Sequence, residues 1–124
     1  MKTFILVLMI VCIYTTAFAD TASWYSVESC QREGTSGTLT ASGEPFTNEG
    51  LTCAMRSRDF GKYYKVTNLE NTELSVIVRH TDFGPNKKLH AQGRIIDLSK
   101  QAFFVLSNGH LEKGLLQVKI EEIK

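Results

Sequence analysis

Three cysteines, two prolines and one tryptophan are all that the 124 residues carry of those types. No cysteine pair stands at C-x-x-C spacing and no histidine pair at H-x-x-x-H. His80, His90 and His110 are too widely and irregularly placed to form a helical or strand metal pair, so no zinc site is expected. A G-x-S-x-G elbow is missing, and with it the signature of a serine hydrolase. Charge of either sign is not in excess, with Lys+Arg 14 against Asp+Glu 13, and no basic cluster exceeds Lys87-Lys88. Neither nucleic acid nor an anionic membrane surface therefore has an electrostatic claim on the chain. Internal repeats, low-complexity tracts and long linkers are absent too, which leaves one domain as the expectation. No cofactor is expected.

The one long apolar run lies at the start. In "MKTFILVLMIVCIYTTAFAD", Lys2 precedes an apolar stretch from Phe4 to Tyr14, and Ala17 and Ala19 hold the small-residue positions before Asp20. This is the pattern of a secretory signal peptide. The run is too short for a comfortable membrane span; the rival reading is an uncleaved N-terminal anchor. Lipid attachment at Cys12 is not expected, because Val11 stands where the bacterial lipoprotein signal has a small residue. The expected organisation is a leader over 1–19 and a domain over 20–124. The product would be exported across the inner membrane to the periplasm or beyond, as a monomer without a membrane span. Loss of Lys2 brings basic and acidic residues level.

A domain of roughly 100 residues buries one modest core. After the leader, Cys30 and Cys53 remain, and an even pair in an exported protein reads as one disulfide. By chain entropy it would be worth roughly 3 kcal/mol. The alternative is two buried free thiols.

Short strands dominate the remainder. "TASWYS" and "LTCAMR" are strand candidates. "KYYKVTNLEN" places Tyr64, Val66 and Asn68 on one face, and "NLENTEL" connects it to a returning strand, "LSVIVRHT". Val27 to Gly37 reads as a loop, and Thr38 to Gly50 as a brief extended piece among turns. Arg94 to Leu98 is extended, Ser99 caps a short helix with Ala102, Phe103 and Leu106 inward, and Asn108-Gly109 stops it. "LLQVKIEEIK" alternates as a half-buried closing strand. Six or so strands with one or two short helices point to a small closed barrel, because closure removes exposed edges.

Three acids stand in turn-rich surroundings: Glu44 in "TASGEPF", Asp82 in "RHTDFGP" and Asp97 in "RIIDLSK". Asp97 is expected to serve the start of the helix. Asp82 lies just past a strand on a stiff Gly-Pro turn, the kind of scaffold that holds a functional acid in place.

The segments "ASWYS", "TASGEPF", "LTCAMR", "VTNLEN", "SVIVRHTDFGP" and "GRIIDLSKQAF", in this order, closely resemble the rare lipoprotein A family of bacterial cell-wall proteins. The resemblance runs from about Ala22 to Ile120. It implies a mainly β, six-stranded double-psi β-barrel, a fold shared with expansins. It also implies endolytic lytic transglycosylase activity on peptidoglycan glycan strands, with stem-peptide-free strands preferred. Asp82 matches the family's essential aspartate and Glu44 the glutamate of its groove. Tyr25, Thr40, Ser42, Thr81 and Phe83, in the same motifs, are the expected substrate contacts. Met55 stands where the family usually has a histidine, and Phe83 where it has an arginine. No peptidoglycan-binding repeat follows Lys124, so septal targeting by that module is not expected. The second reading is an expansin-like module that binds and loosens wall polysaccharide without cutting it.

A lytic transglycosylase needs no hydrolytic water. One acid protonates the glycosidic oxygen and then, as a base, takes the proton of the sugar's own 6-hydroxyl. That acid must carry its proton at neutral pH. A neighbouring carboxylate, Glu44, and an apolar wall, Phe83, are the groups expected to favour this.

Cleavage is predicted between Ala19 and Asp20. Intact mass of the exported protein should begin at Asp20; a species that retains residues 1–19 overturns the secreted reading.

Overall fold

The computed structural model describes residues 20–34 and 38–124. The leader and its cleavage point lie outside them. Six strands form: β1 (Asp20–Tyr25), β2 (Thr52–Met55), β3 (Tyr63–Asn68), β4 (Ser75–Phe83), β5 (Arg94–Ser99) and β6 (Leu115–Ile123). They close into a barrel in the order β1-β5-β2-β4-β3-β6. Every strand has two partners, so no edge is left open. The β1–β5 and β2–β4 pairs are parallel and the other four antiparallel. This is the mainly β, six-stranded barrel that the sequence pattern predicts, and it fits a double-psi barrel.

The period-two pattern explains the interior. Val66 and Asn68 point inward from β3, Val76, Val78 and His80 from β4, and Leu116 and Val118 from β6. Ile96 and Leu98 of β5 complete the filling, and Phe103 and Leu106 close one end from α3 (Lys100–Leu106). Ser99 caps α3 by accepting from the Ala102 N–H at 3.2 Å. The side chain of buried Asn68 donates to the Leu106 carbonyl at 3.0 Å and so joins the helix to the wall.

Among the described residues three short α-helices form, rather than one or two. The unexpected α1 (Val27–Arg32) occupies a stretch that reads as loop. Ser26 accepts from the Ser29 N–H and Ser29 returns a bond to the Ser26 N–H, a reciprocal cap that satisfies two end donors. Asn48 holds it from outside, accepting from the Val27 N–H at 2.9 Å and donating to the Glu28 carboxylate. The equally unexpected α2 (Lys87–Ala91) is capped by Asn86, which accepts from the Leu89 N–H at 2.9 Å.

Strand β4 also runs further than its apolar stretch. Asp82 and Phe83 belong to it, because Ala54 and Met55 of β2 lie opposite them and extend the ladder. The wall of the barrel, not only a stiff turn, therefore holds Asp82.

The expected Cys30–Cys53 disulfide is not formed. Cys53 points into the core, fully buried among apolar side chains, whereas Cys30 lies on the last turn of α1 and lines a surface cleft. Burial, with a smaller contribution from the charge of Asp97, pushes the Cys53 thiol far up, so it stays protonated and inert. Alkylation without reductant should leave Cys53 unlabelled in the native state and label it after denaturation. A Cys53 that stays unlabelled in denaturant until reductant is added would restore the disulfide.

Candidate active site

A cleft of about 350 Å³ opens where β1, β2, β4 and β5 meet. Its floor is Ala54, the central residue of a row across three strands. Asp82 of β4 is the partner of Ala54 on one side, and Asp97 of β5 on the other. Two inter-strand spacings put the two acidic positions roughly 10 Å apart along the wall. Both side chains line the cleft, as do Trp24, Tyr25, Phe83 and Arg94.

Asp82 is held by three donors from three segments. The Tyr25 hydroxyl donates to Oδ2 at 3.2 Å. The Ala41 and Phe83 N–H groups donate to Oδ1 at 3.0 and 2.9 Å. Tyr25 is fixed in turn by stacking on Phe46, with centroids 4.5 Å apart and planes 7° from parallel. Burial first, then the charge of Asp82, push the Tyr25 phenol far up, so it remains a donor at any ordinary pH. Beneath Asp82, buried His80 donates from Nε2 to the Asp82 carbonyl at 2.9 Å, which places the proton on Nε2. Its Nδ1 has no hydrogen-bond partner among the described residues. Phe60 and Tyr64 pack near its ring.

Asp97 does not serve the helix start. Ser99 does that alone, and Asp97 Oδ1 instead accepts from the Ser23 hydroxyl and from Arg94 Nε, the latter at 3.0 Å. Its side chain is only 14% exposed, so the ion pair with Arg94 is well shielded. This is the site acid that motif reading missed. The alternation of β5 was the available signal, since with Ile96 and Leu98 inward Asp97 must face the other way.

Glu44 is placed differently from expectation. Its carboxylate pairs with Arg79 at 3.0 Å and does not line the cleft, so it is not the carboxylate beside Asp82. It belongs to a tight turn instead. The Thr40 N–H and hydroxyl both donate to the Glu44 carbonyl, at 3.1 and 2.8 Å, and Ser42 Oγ accepts from the Glu44 N–H. That turn is bonded to β4, with the Ser42 N–H donating to the Thr81 carbonyl at 3.1 Å. Thr40, Ser42 and Thr81, expected as substrate contacts, therefore build the turn that presents the Ala41 N–H to Asp82, and none of them lines the cleft. Phe83 does line it, but not as a bare apolar wall. The guanidinium carbons of Arg56 and Arg58 lie 4.9 and 4.4 Å from its ring centroid. Gly84, next in the chain, has φ 150°, a conformation that side chains rarely adopt. Among the described residues, no group of three or more His, Cys, Asp or Glu side chains converges as metal ligands would.

Residues 17–120 match the protein family described as lytic transglycolase. The chain belongs to that family. An endolytic peptidoglycan transglycosylase RlpA of Pseudomonas aeruginosa is 40% identical over 103 residues, 83% of this chain and 26% of the relative. One from Rickettsia felis is 38% identical over 109 residues, 86% of this chain and 43% of the relative. The chain thus spans between a quarter and a half of the length of these lytic transglycolase relatives. The crystal structure of cerato-platanin 3 from M. perniciosa superimposes with a TM-score of 0.55 over 86% of this chain and 94% of that one. At 15% identity this likeness shows the barrel alone.

The two outer acids should differ in what they hold. Asp97→Ala removes the acceptor of a buried serine hydroxyl and of Arg94, and should cost about 1–3 kcal/mol in equilibrium unfolding. Glu44→Ala, at an exposed ion pair, should cost much less. Equal losses would show that Asp97 is not anchored as described.

Proposed function

We propose that this barrel is an endolytic lytic transglycosylase of peptidoglycan glycan strands, acting outside the inner membrane, with Asp82 as its acid and base. The observation that carries this reading is the geometry of Asp82, half-buried and lining the cleft while a phenol and two backbone N–H groups hold its carboxyl. Family membership and the names of the relatives support it.

The chemistry balances without water. Protonated Asp82 gives its proton to the glycosidic oxygen as the bond from that oxygen to C1 breaks. The 6-hydroxyl oxygen of the same sugar closes on C1, and its proton returns to Asp82. One product gains a 1,6-anhydro ring and the other a free hydroxyl. Positive charge builds at C1 in between, and a fixed carboxylate facing it from across the cleft stabilises that charge. Asp97 is so placed. The division of roles follows from the partners. Asp82 has only neutral donors, and a proton can come and go there without breaking an ion pair. Asp97 is tied to Arg94. Trp24, whose indole N–H is spent on the Leu111 carbonyl at 3.1 Å, leaves ring surface for a sugar face. Glu44 acts at one remove, through the turn that carries Ala41.

Asp82→Asn should lower release of 1,6-anhydro-ended fragments from stem-peptide-free strands by ~10²-fold, the usual scale of acid/base loss, with an unchanged melting temperature. Tyr25→Phe, which keeps the stack on Phe46, should fall between that variant and wild type. A folded Asp82→Asn that is as active as wild type overturns the mechanism. A wild type that binds strands and releases nothing favours the expansin-like binding module, and Met55→His is then the first restoration to try.

A further inference from the structure

The cleft has a second polar feature, which catalysis as proposed does not use. Two exposed guanidinium groups, Arg56 and Arg58, do not line the cleft themselves but stand at its edge, both against the ring of Phe83, which does. Arg56 is oriented further by donating from Nη1 to the Pro85 carbonyl at 3.2 Å, and Pro85 is itself part of the cleft lining. Neither arginine forms an ion pair with an acid of the described residues, whereas Arg79 and Arg94 are both committed to carboxylates. A guanidinium held against an aromatic ring is already partly ordered and still has N–H donors to offer, so it costs little further ordering when it meets an anion.

Asp97 already holds Arg94, the guanidinium that lines the cleft, whereas Arg56 and Arg58 beside Phe83 have no carboxylate partner among the described residues. We propose that Arg56 and Arg58 form a subsite for a carboxylate borne on the bound glycan, and that the carboxylate is the lactyl group of the acidic sugar rather than one from a stem peptide. Phe83 is the immediate neighbour of Asp82, so the subsite lies within about one sugar of the acid. A lactyl ether carboxylate sits on the ring itself, while peptide carboxylates extend well beyond it. Amide formation with a stem peptide would erase the charge that this subsite reads, so the pair selects strands without peptides. The inference rests on the proposed glycan substrate.

The test is binding, read through Trp24, the one tryptophan of the chain and part of the cleft. Three fragment sets are titrated: peptide-free glycan with free lactyl carboxylates, the same glycan with those groups converted to methylamides, and glycan that carries stem peptides. Wild type should bind the free-acid form about tenfold more tightly than the methylamide, the scale of a charge-assisted hydrogen bond, and added salt should shrink the gap. The Arg56→Gln/Arg58→Gln double variant should bind the two peptide-free forms alike. Arg58→Gln alone breaks no hydrogen bond among the described residues, and it stands in with a partial loss of preference if the double variant folds poorly. Equal binding of the two forms by wild type, or a preference that survives in the double variant, overturns the subsite. Arginine dependence confined to peptide-bearing strands overturns the lactyl assignment. Failure to bind any of the three sets removes the glycan substrate itself. Binding with the stated preference but without fragment release keeps the subsite and removes only the catalytic reading.

Discussion

Strand β2 is four residues long, and both cleft acids depend on it. Its third residue, Ala54, pairs with Asp82 on the parallel side and with Asp97 on the antiparallel side. Alternation alone would put Asp82 on the inward face of Val78 and His80, but the β2–β4 ladder shifts register between Cys53 and Ala54, and that irregularity turns Asp82 to the cleft face with Asp97. A slip of one residue in either ladder would turn one of them inward, onto the core that Cys53, Leu98 and Val78 fill. The small Ala54 side chain then leaves the space between them open. Barrel closure enforces this, since β2 is gripped on both sides and cannot shift without breaking two ladders.

The rest of the site is built outward from that row. The turn from Thr40 to Glu44 has little core of its own, and its position rests on two backbone N–H groups bonded to β4, Ser42 to the Thr81 carbonyl and Ala41 to the Asp82 carboxylate. The Glu44–Arg79 pair adds to this but is more than a third exposed on both sides, and exposed pairs contribute little. Backbone bonding therefore decides where the Ala41 N–H sits, and the ion pair trims it. Asp97 is the opposite case, with a shielded charge pair and a buried serine hydroxyl that together make it the more rigid of the two acids.

Much of the fold was legible in local pattern. The faces of β3, the capping role of Ser99, the inward set of α3 and the alternation of β6 all follow from spacing, and the structure bears them out. What was not legible depends on partners distant in sequence. Helix α1 needs Asn48 and a Ser–Ser cap in a stretch that looks like loop. Cysteine parity says nothing about direction, and Cys53 faces the core. Glu44 and Asp82 belong to motifs that both suggest a groove, yet Arg79, two residues before Thr81 on the same strand as Asp82, takes the Glu44 carboxylate. Asp97 read as a helix-start residue because Ser99 follows it; the alternation of β5 turns it from the core, and the cross-barrel register sets it in one row with Ala54 and Asp82.

Charge around the cleft falls into two groups. Asp82 and the Arg94-paired Asp97 line the cleft itself, and two guanidinium groups without carboxylate partners among the described residues stand against Phe83 at its edge. The aromatic ring between them is what makes this arrangement stable in so small a space. Without it, exposed arginines near two acids would swing over to neutralise them. Stacking on Phe83, and for Arg56 the bond to Pro85, keeps the cations at the rim and leaves the carboxyl groups to their own partners. A phenyl ring at position 83 therefore keeps the positive charge of this end on side chains that approach from the segment following β2, one step removed from the acid instead of directly beside it in the chain.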